Sequence, residues 1–301
     1  MINYTECITR LMRDIVSRLP ALGFVDLGQV LVFARYGRSH AEGAFATCHC
    51  LTLPPTEPGY YYWRDRQTGR MTRRSMWFVT KSPVVYVGGR RIHYLISFTL
   101  PRFCDQTLAK SRKEEHYPGA KPWMAKLDTI VHELYHIDPD HSGIRKIERP
   151  DGTYSPHSHG PSFLSDVAGM VQEYLASRPA PEVYDFLRYD FAELTSRFGK
   201  VVGTTFRTFP SFPQRYIEPL AAQPRIRERV RVEPVKRPRQ PTRYTEQDLI
   251  VRQFFQESLP SALRAERYKE PRVARLSAAL IDATRPVVAP GQDSRACDRD
   301  R

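Results

Sequence analysis

The chain lacks long apolar runs. No stretch of its 301 residues approaches the roughly 18 consecutive apolar side chains that a membrane-spanning helix needs. The first 22 residues, MINYTECITRLMRDIVSRLPAL, space their apolar side chains as an amphipathic helix does and mix acidic residues among them. A secretory signal would instead carry a continuous apolar core. We therefore expect no membrane partner and a cytoplasmic location.

Cysteine is also scarce. The five cysteines are odd in number and scattered: Cys7, Cys48, Cys50, Cys104 and Cys297. Secreted disulfide frameworks usually carry an even set, so reduced thiols in a cytoplasm are the simplest interpretation. The CHC run at residues 48–50 suggests a second metal site, but in a strand the two cysteines face one way and His49 the other. Buried thiols are therefore the preferred interpretation of this run.

Acidic residues are the minority among the charged side chains. The sequence holds 33 Asp and Glu against 46 Lys and Arg, and its formal net charge is +13. Such an excess favours an anionic partner such as nucleic acid, although it does not indicate a fold. Many soluble proteins are basic without binding nucleic acid, so charge alone leaves both interpretations open.

The N-terminal half of the chain predicts one helix followed by a small sheet. The apolar face of the first helix, which Pro20 ends, consists of Ile8, Leu11, Met12, Ile15, Val16 and Leu19. Short β-rich segments follow, separated by glycine, proline and charged residues: QVLVFARYG, AFATCHCLTL, MWFVT, VVYVG and RIHYLISFTL. We expect an α+β fold whose small, mostly antiparallel sheet is covered on one face.

Helical periodicity returns after the strands. PWMAKLDTIVHELYHI spaces its apolar residues by three or four, and Pro139 prevents this helix from continuing. A loop of about 20 residues follows, a length that is usually functional or disordered. PSFLSDVAGMVQEYLAS predicts a second helix with Pro161 in its first turn. A helix near 181–198 and a strand at VVGTTFRTF complete the domain, which we place at residues 1–209.

Residues 210–301 differ in composition and are expected to form a basic, Pro/Arg-rich extension, partly disordered with short helices. Seven prolines lie between residues 210 and 241, and residues 221–245 hold eight Lys and Arg against two Glu, a net charge of 8 − 2 = +6. Such a composition is typical of an extended linker. TEQDLIVRQFFQESL predicts a short helix that begins with a Thr245/Asp248 capping pair.

The sequence HELYH at residues 132–136 predicts a metal site. His132 and His136 are four apart, so both imidazoles project from one face of a helix, within reach of one ion. Glu133 is one position further along and can hold a metal-bound water without being a ligand itself, the general-base arrangement of zinc peptidases. Zinc lowers the pKa of such a water towards ~7, and the glutamate accepts the proton as hydroxide attacks a carbonyl.

A third protein ligand must come from elsewhere in the chain, because catalytic zinc sites usually have three protein ligands and one open position. Five residues compete for this role: His141, His157, His159, Asp166 and Glu173. His141 follows His136 by five positions with no glycine between them, which does not match the metzincin spacing. His159 is preferred, because Gly160 lets the backbone pass close to the site and the helix that follows fixes its position.

HELYH followed at a distance by HGPSF resembles the SprT-like zincins, whose pattern is HExxH and then a histidine in an HG-x-x-F/W context. YLISFTLPRF and the HIDP segment look like a bacterial and phage group of metallopeptidases. The resemblance covers roughly residues 28–175. It implies a single-zinc peptidase fold, with an HExxH helix packed on a small sheet, His132, His136 and His159 as ligands and Glu133 as the base.

Two features depart from this family. SprT-like proteins often carry a C-terminal four-cysteine zinc ribbon, whereas Cys297 is the only cysteine after Cys104 here. The loop between the two motifs also holds an additional His141. Some relatives act on proteins crosslinked to DNA, a role that the basic extension would fit.

Two classes of function therefore compete. The first is a zinc metallopeptidase that acts on a protein or peptide substrate, with DNA as a further partner of the basic extension. The second is a nucleic-acid-associated binding protein in which the metal is structural or vestigial. A metal-dependent hydrolase of a non-peptide bond is a third interpretation, because the ligand pattern does not specify which bond is broken.

Overall fold

A computed structural model describes the chain in eleven stretches: residues 1–37, 43–51, 60–61, 78–81, 83–109, 111, 113–140, 143–145, 159–207, 216–219 and 243–256. Its helices are α1 (Tyr4–Arg18), α2 (Met124–Tyr135), α3 (Phe163–Ala176), α4 (Pro181–Tyr184) and α5 (Phe191–Phe198). The strands up to the HELYH helix are β1 (Ile2–Asn3), β2 (Val30–Gly37), β3 (Ala46–Cys50), β4 (Tyr60–Tyr61), β5 (Phe78–Lys81), β6 (Val84–Val87), β7 (Arg90–Ile92) and β8 (Tyr94–Pro101). The later strands are β9 (Val201–Phe206), β10 (Tyr216–Pro219), β11 (Arg243–Tyr244) and β12 (Leu249–Phe254).

The α+β class is confirmed, but the strands form four three-stranded sheets: β2-β8-β3, β1-β9-β12, β11-β6-β7 and β10-β5-β4. Five of the eight pairings among the described strands are antiparallel. The longest pairing, β2 with β8, is parallel, so the central sheet is mixed.

The expectation of one covered face is wrong for the central sheet, because every residue of β8 is buried. Tyr94, Ile96 and Phe98 face a first hydrophobic core that includes α1, α2 and α3. Leu95 faces a second core, which is built by residues of β2, β6, β7, β9, β11 and β12. A strand buried on both faces has a continuous apolar sequence rather than an alternating one, and YLISFTLP fits that pattern.

The apolar stripes of the three long helices form the first core as expected. In α1 the side chains of Ile8, Leu11, Met12 and Ile15 are fully buried. Helix α2 is buried nearly all round, including four polar side chains: Lys126, Asp128, Thr129 and Glu133. The helix that carries HELYH is therefore central to the fold, and its polar groups need partners from other segments.

The helix expected near 181–198 is divided. Helix α4 leads into a 3-10 turn at Asp185–Arg188, and α5 begins anew behind Asp190. Asp190 accepts a hydrogen bond from the Glu193 backbone N–H, and the Glu193 side chain accepts one from the Asp190 N–H. This capping box satisfies the first backbone donors of α5 and explains the break.

The prediction of a helix after Thr245 is wrong. The Thr245/Asp248 capping pair is present, but it closes only one 3-10 turn, Glu246–Asp248. The chain then forms β12, which pairs with β9 over six residues in antiparallel register. Pairing along a buried strand outweighs the local helical signal, so this segment of the predicted extension packs into the fold. The rest of residues 210–301, apart from β10 and β11, lies outside the described part.

Among the described residues, no helix has both the length and the apolar character needed to cross a bilayer.

Two glycines offer a matched test of how closely β9 packs against α1, β2 and β12. A Cβ on Gly203 in β9 would lie 3.0 Å from the Ala34 Cβ, 3.2 Å from Thr5 Cγ2 and 3.3 Å from the Phe254 ring. Gly203→Ala should therefore lower the free energy of unfolding by about 1–3 kcal/mol through overpacking. Gly169→Ala, at an exposed site in α3 with nothing within 4 Å, should raise it by about 0.5–1 kcal/mol.

Urea denaturation measures both changes. If Gly203→Ala proved as stabilising as Gly169→Ala, the close contact of β9 with α1, β2 and β12 would be contradicted.

Candidate metal centre

Helix α2 presents the first two histidines together. His132 lies in its last turn and His136 immediately follows it, with the two ring centroids 4.7 Å apart. The four-residue spacing places both side chains on one face, as expected from the sequence. His136 is buried, and His132 is partly buried.

His159 completes the cluster from a different segment, just before α3. Its Nε2 lies 3.0 Å from the Nε2 of His132, and one nitrogen from each of the three imidazoles lies within 4.8 Å of the others. Tetrahedral zinc with bonds of about 2.0–2.1 Å separates its ligand nitrogens by roughly 3.3 Å, and the distance between His132 and His159 is close to that value. The exposed position of His159 leaves one side of the cluster open.

The other candidates for the third ligand are not in this cluster. Asp166 and Glu173 lie exposed on α3, and Asp166 accepts hydrogen bonds from Ser162 and Tyr135 instead. His141 and His157 lie outside the described residues. Among the described His, Cys, Asp and Glu side chains, the three histidines form the one group with metal-ligand spacing.

Phe163 lies against all three imidazoles. Its ring centroid is 4.9 Å from that of His132, 5.0 Å from that of His136 and 4.7 Å from that of His159, and its side chain is 1% exposed. The His136 ring stacks on it, and the other two meet it edge-on. Such contacts limit the rotation of each imidazole, so the first residue of α3 holds the three rings in one arrangement.

The electrostatic environment keeps the two helix histidines neutral. Burial, together with the neighbouring His136, Lys113 and His159, lowers the pKa of His132 to about 2. Burial, His159 and Arg145 lower the pKa of His136 to about 3. A neutral imidazole has the free lone pair that a metal ion needs.

Glu133 projects towards the edge of the central sheet. Glu133 is 5% exposed, and its carboxyl accepts a hydrogen bond from the backbone N–H of Cys48 in β3. Burial raises its pKa to about 8, although the Cys48 N–H, Lys113 and Arg35 act in the opposite direction. A cation at the histidines would favour the ionised carboxylate, because opposite charge nearby stabilises the charged form.

The register of β3 explains why Cys48 can donate this bond. Leu51 donates to the His93 carbonyl and Thr99 donates to the Phe45 carbonyl, so the odd-numbered residues of β3 bond to β8. The backbone groups of the even-numbered residues therefore point away from β8, along an edge that no described strand covers. The sequence could not reveal this partner, since it is a backbone group about 85 residues before Glu133 in the chain.

The CHC run shows the expected alternation. Cys50 is part of the first core and Cys48 packs against it, whereas His49 lies 3.5 Å from the Ser97 hydroxyl on the opposite face. The described residues place no metal-ligand group here.

Arg145 hydrogen-bonds to the end of α2, a role that no pattern in the sequence indicated. Its backbone N–H donates to the His136 carbonyl at 2.8 Å, and its Nε donates to the Tyr135 carbonyl at 2.8 Å. Its guanidinium also lies 4.1 Å from the centre of the Tyr135 ring. Arg145 thus satisfies two terminal carbonyls of α2 and fixes the turn that bears His136.

The donor set fits a divalent metal ion. The Oε2 atom of Glu133 is buried and no described group hydrogen-bonds to it, and the Nε2 atoms of His132 and His159 face each other at 3.0 Å. Buried polar atoms usually have partners, and exceptions concentrate at functional sites. Three imidazoles that converge beside a buried carboxyl are suited to bind a cation and a water molecule.

Comparison of the chain with protein-family models, curated proteins and solved structures finds no match.

Removal of the third imidazole should reduce metal binding. We expect His159→Ala to lose most of the metal that the wild-type chain retains after equilibration with zinc and dialysis, because two imidazoles alone bind a divalent ion weakly. Atomic emission spectroscopy measures metal per chain. His116→Ala is the control, since the His116 ring lies 3.7 Å from the Glu115 carboxylate and is not part of the histidine cluster. Full metal content in His159→Ala would contradict the ligand set.

Phe163→Leu should weaken metal binding without removing a ligand. We expect a loss of roughly tenfold in affinity, because groups that orient metal ligands typically contribute 10–100-fold. Competition with a chelating dye measures the dissociation constant. Phe33→Leu is the matched control: Phe33 is fully buried in the second core against Phe206. Equal metal affinity in the two variants would show that Phe163 only fills space.

Proposed function

We propose that the chain is a zinc-dependent metallopeptidase of the SprT-like zincin type, with His132, His136 and His159 as ligands and Glu133 as the general base. One observation carries this proposal: three imidazole nitrogens within 4.8 Å of one another, next to the glutamate that directly follows the first ligand. Three histidines without a thiolate suit zinc, and three protein ligands leave a fourth position open for water or substrate.

The edge of β3 supports a peptide as the substrate. The even-numbered residues of β3 direct their backbone groups away from β8, and Cys48 in this row contacts Glu133. An extended polypeptide pairs readily with such an edge, which would bring a scissile peptide bond close to the base. A small ester or amide lacks the repeated backbone groups that use this edge.

The chain's own residues account for the proton movements. When bound, zinc supplies Lewis-acid polarisation of the carbonyl and lowers the pKa of a water molecule. Glu133 accepts a proton from the attacking water as the water oxygen bonds to the carbonyl carbon. The same carboxyl then donates that proton to the leaving nitrogen as the C–N bond breaks, so the carboxylate is regenerated. The Cys48 N–H holds the carboxyl in place through both transfers.

Glu133→Gln should separate catalysis from metal binding. The amide keeps the size of the side chain but cannot accept the proton, so we expect hydrolysis to fall by at least about 10²–10⁴-fold. Metal content should equal that of the wild type, since Glu133 is not a ligand in this proposal. Cleavage of an unfolded protein followed by gel electrophoresis, together with metal analysis, measures both properties.

Glu173→Gln is the matched control, because Glu173 lies exposed on α3 outside the histidine cluster. Wild-type cleavage by Glu133→Gln would exclude the mechanism. DNA as a partner of the basic extension stays a prediction, since most of residues 221–245 lie outside the described part.

A further inference from the structure

The small sheet β11-β6-β7 has one buried face and one outer face. Val85, Val87, Ile92 and Tyr244 belong to the second core. Tyr86 and Arg91 are direct cross-strand partners, so they lie together on the opposite, outer face. Arg243 pairs in register with Val84 and therefore shares this face, where its guanidinium lies 4.6 Å from the centre of the Tyr86 ring.

This outer face carries positive charge without a described counter-ion. Arg91 and Arg243 are exposed, and neither forms an ion pair with an acidic residue of the described part of the chain. Tyr86 is partly buried between them. Two exposed guanidinium groups around one aromatic ring combine phosphate attraction with a stacking surface.

The sequence around this face adds charge of the same sign. Residues 221–242 lead directly into β11 and hold seven Lys and Arg against two Glu. A polyanion on the Tyr86 face would therefore also be attracted by the adjoining segment, since the field of clustered basic residues extends about a Debye length.

We propose that this Tyr86 face, formed by Tyr86, Arg91 and Arg243, is a docking surface for single-stranded nucleic acid. The arginines bind successive phosphates, and the tyrosine ring together with the guanidinium of Arg243 offers a stacking surface to an unpaired base. A duplex keeps its bases stacked on one another, so it cannot use the ring, and an acidic peptide or a lipid headgroup offers no aromatic plane. The inference is independent of the proposed peptidase activity.

Binding of a fluorescent oligothymidylate to the full chain, measured by anisotropy over a range of salt concentrations, tests this docking surface. We expect the double variant Arg91→Gln/Arg243→Gln to bind more weakly. The slope of log affinity against log salt should become less steep by roughly 1.4, about 0.7 for each phosphate contact to a single strand. Tyr86→Leu should weaken binding about tenfold with an unchanged slope, whereas Tyr86→Phe should bind as the wild type does.

Arg197→Gln is the matched control, because Arg197 is also exposed and its guanidinium lies 4.9 Å from the Tyr189 ring, on a different part of the fold. It removes a charge from a comparable arginine–tyrosine pair and should leave the slope unchanged. Thermal unfolding verifies that each variant is folded.

Two results would overturn the proposal. One is oligonucleotide affinity and salt slope within error of the wild type in both the double arginine variant and Tyr86→Leu, which would assign all binding to other basic residues. The other is loss of binding to phosphatidylserine vesicles in the double variant while Tyr86→Leu binds the oligonucleotide normally. That combination would indicate an anionic membrane surface as the partner.

Discussion

The rest of the structure depends on the nearly complete burial of helix α2. A helix enclosed on all sides cannot leave its polar side chains to water, so each must find a partner within the protein. Lys126 donates to the Tyr189 carbonyl at 2.7 Å, and Thr129 bonds to Gln106. Asp128 accepts from Tyr117 at 2.8 Å and forms an ion pair with Lys113 at 2.6 Å. These contacts anchor the segments before and after α2 to it and fix its rotation.

This pairing is incomplete at the histidine cluster. His132 and Glu133 lie on this buried helix and His136 directly follows it, yet each has a buried atom with no hydrogen-bond partner among the described residues. Low pKa values for the two histidines and a raised one for Glu133 have the same principal cause, the burial of groups whose charged forms lose hydration. A dication at the cluster would favour the ionised form of Glu133 and needs the neutral form of the histidines, so the end of this helix is suited to hold a metal ion.

The two proposed functional surfaces lie on opposite sides of the central sheet. Helix α2 packs against the face that carries Ile96 and Phe98, whereas the sheet that bears Tyr86 covers the second core on the other face, next to Leu95. Complete burial of β8 is the physical link between them, since each of its faces requires a separate covering layer. Substrate cleavage and nucleic-acid docking would therefore not compete for the same surface.

Local periodicity in the sequence determined the three long helices, the pairing of His132 with His136 and the position of Glu133, because side chains three or four apart share a helix face whatever the rest of the chain does. It left five candidates for the third ligand, and only tertiary packing placed His159 against the other two rings through Phe163. Packing also gave Glu133 its Cys48 partner, converted the segment after Thr245 from an expected helix into β12, and covered both faces of β8. These outcomes depend on which segments, far apart in the sequence, pack against one another. A local pattern carries no information about contacts between residues dozens of positions apart.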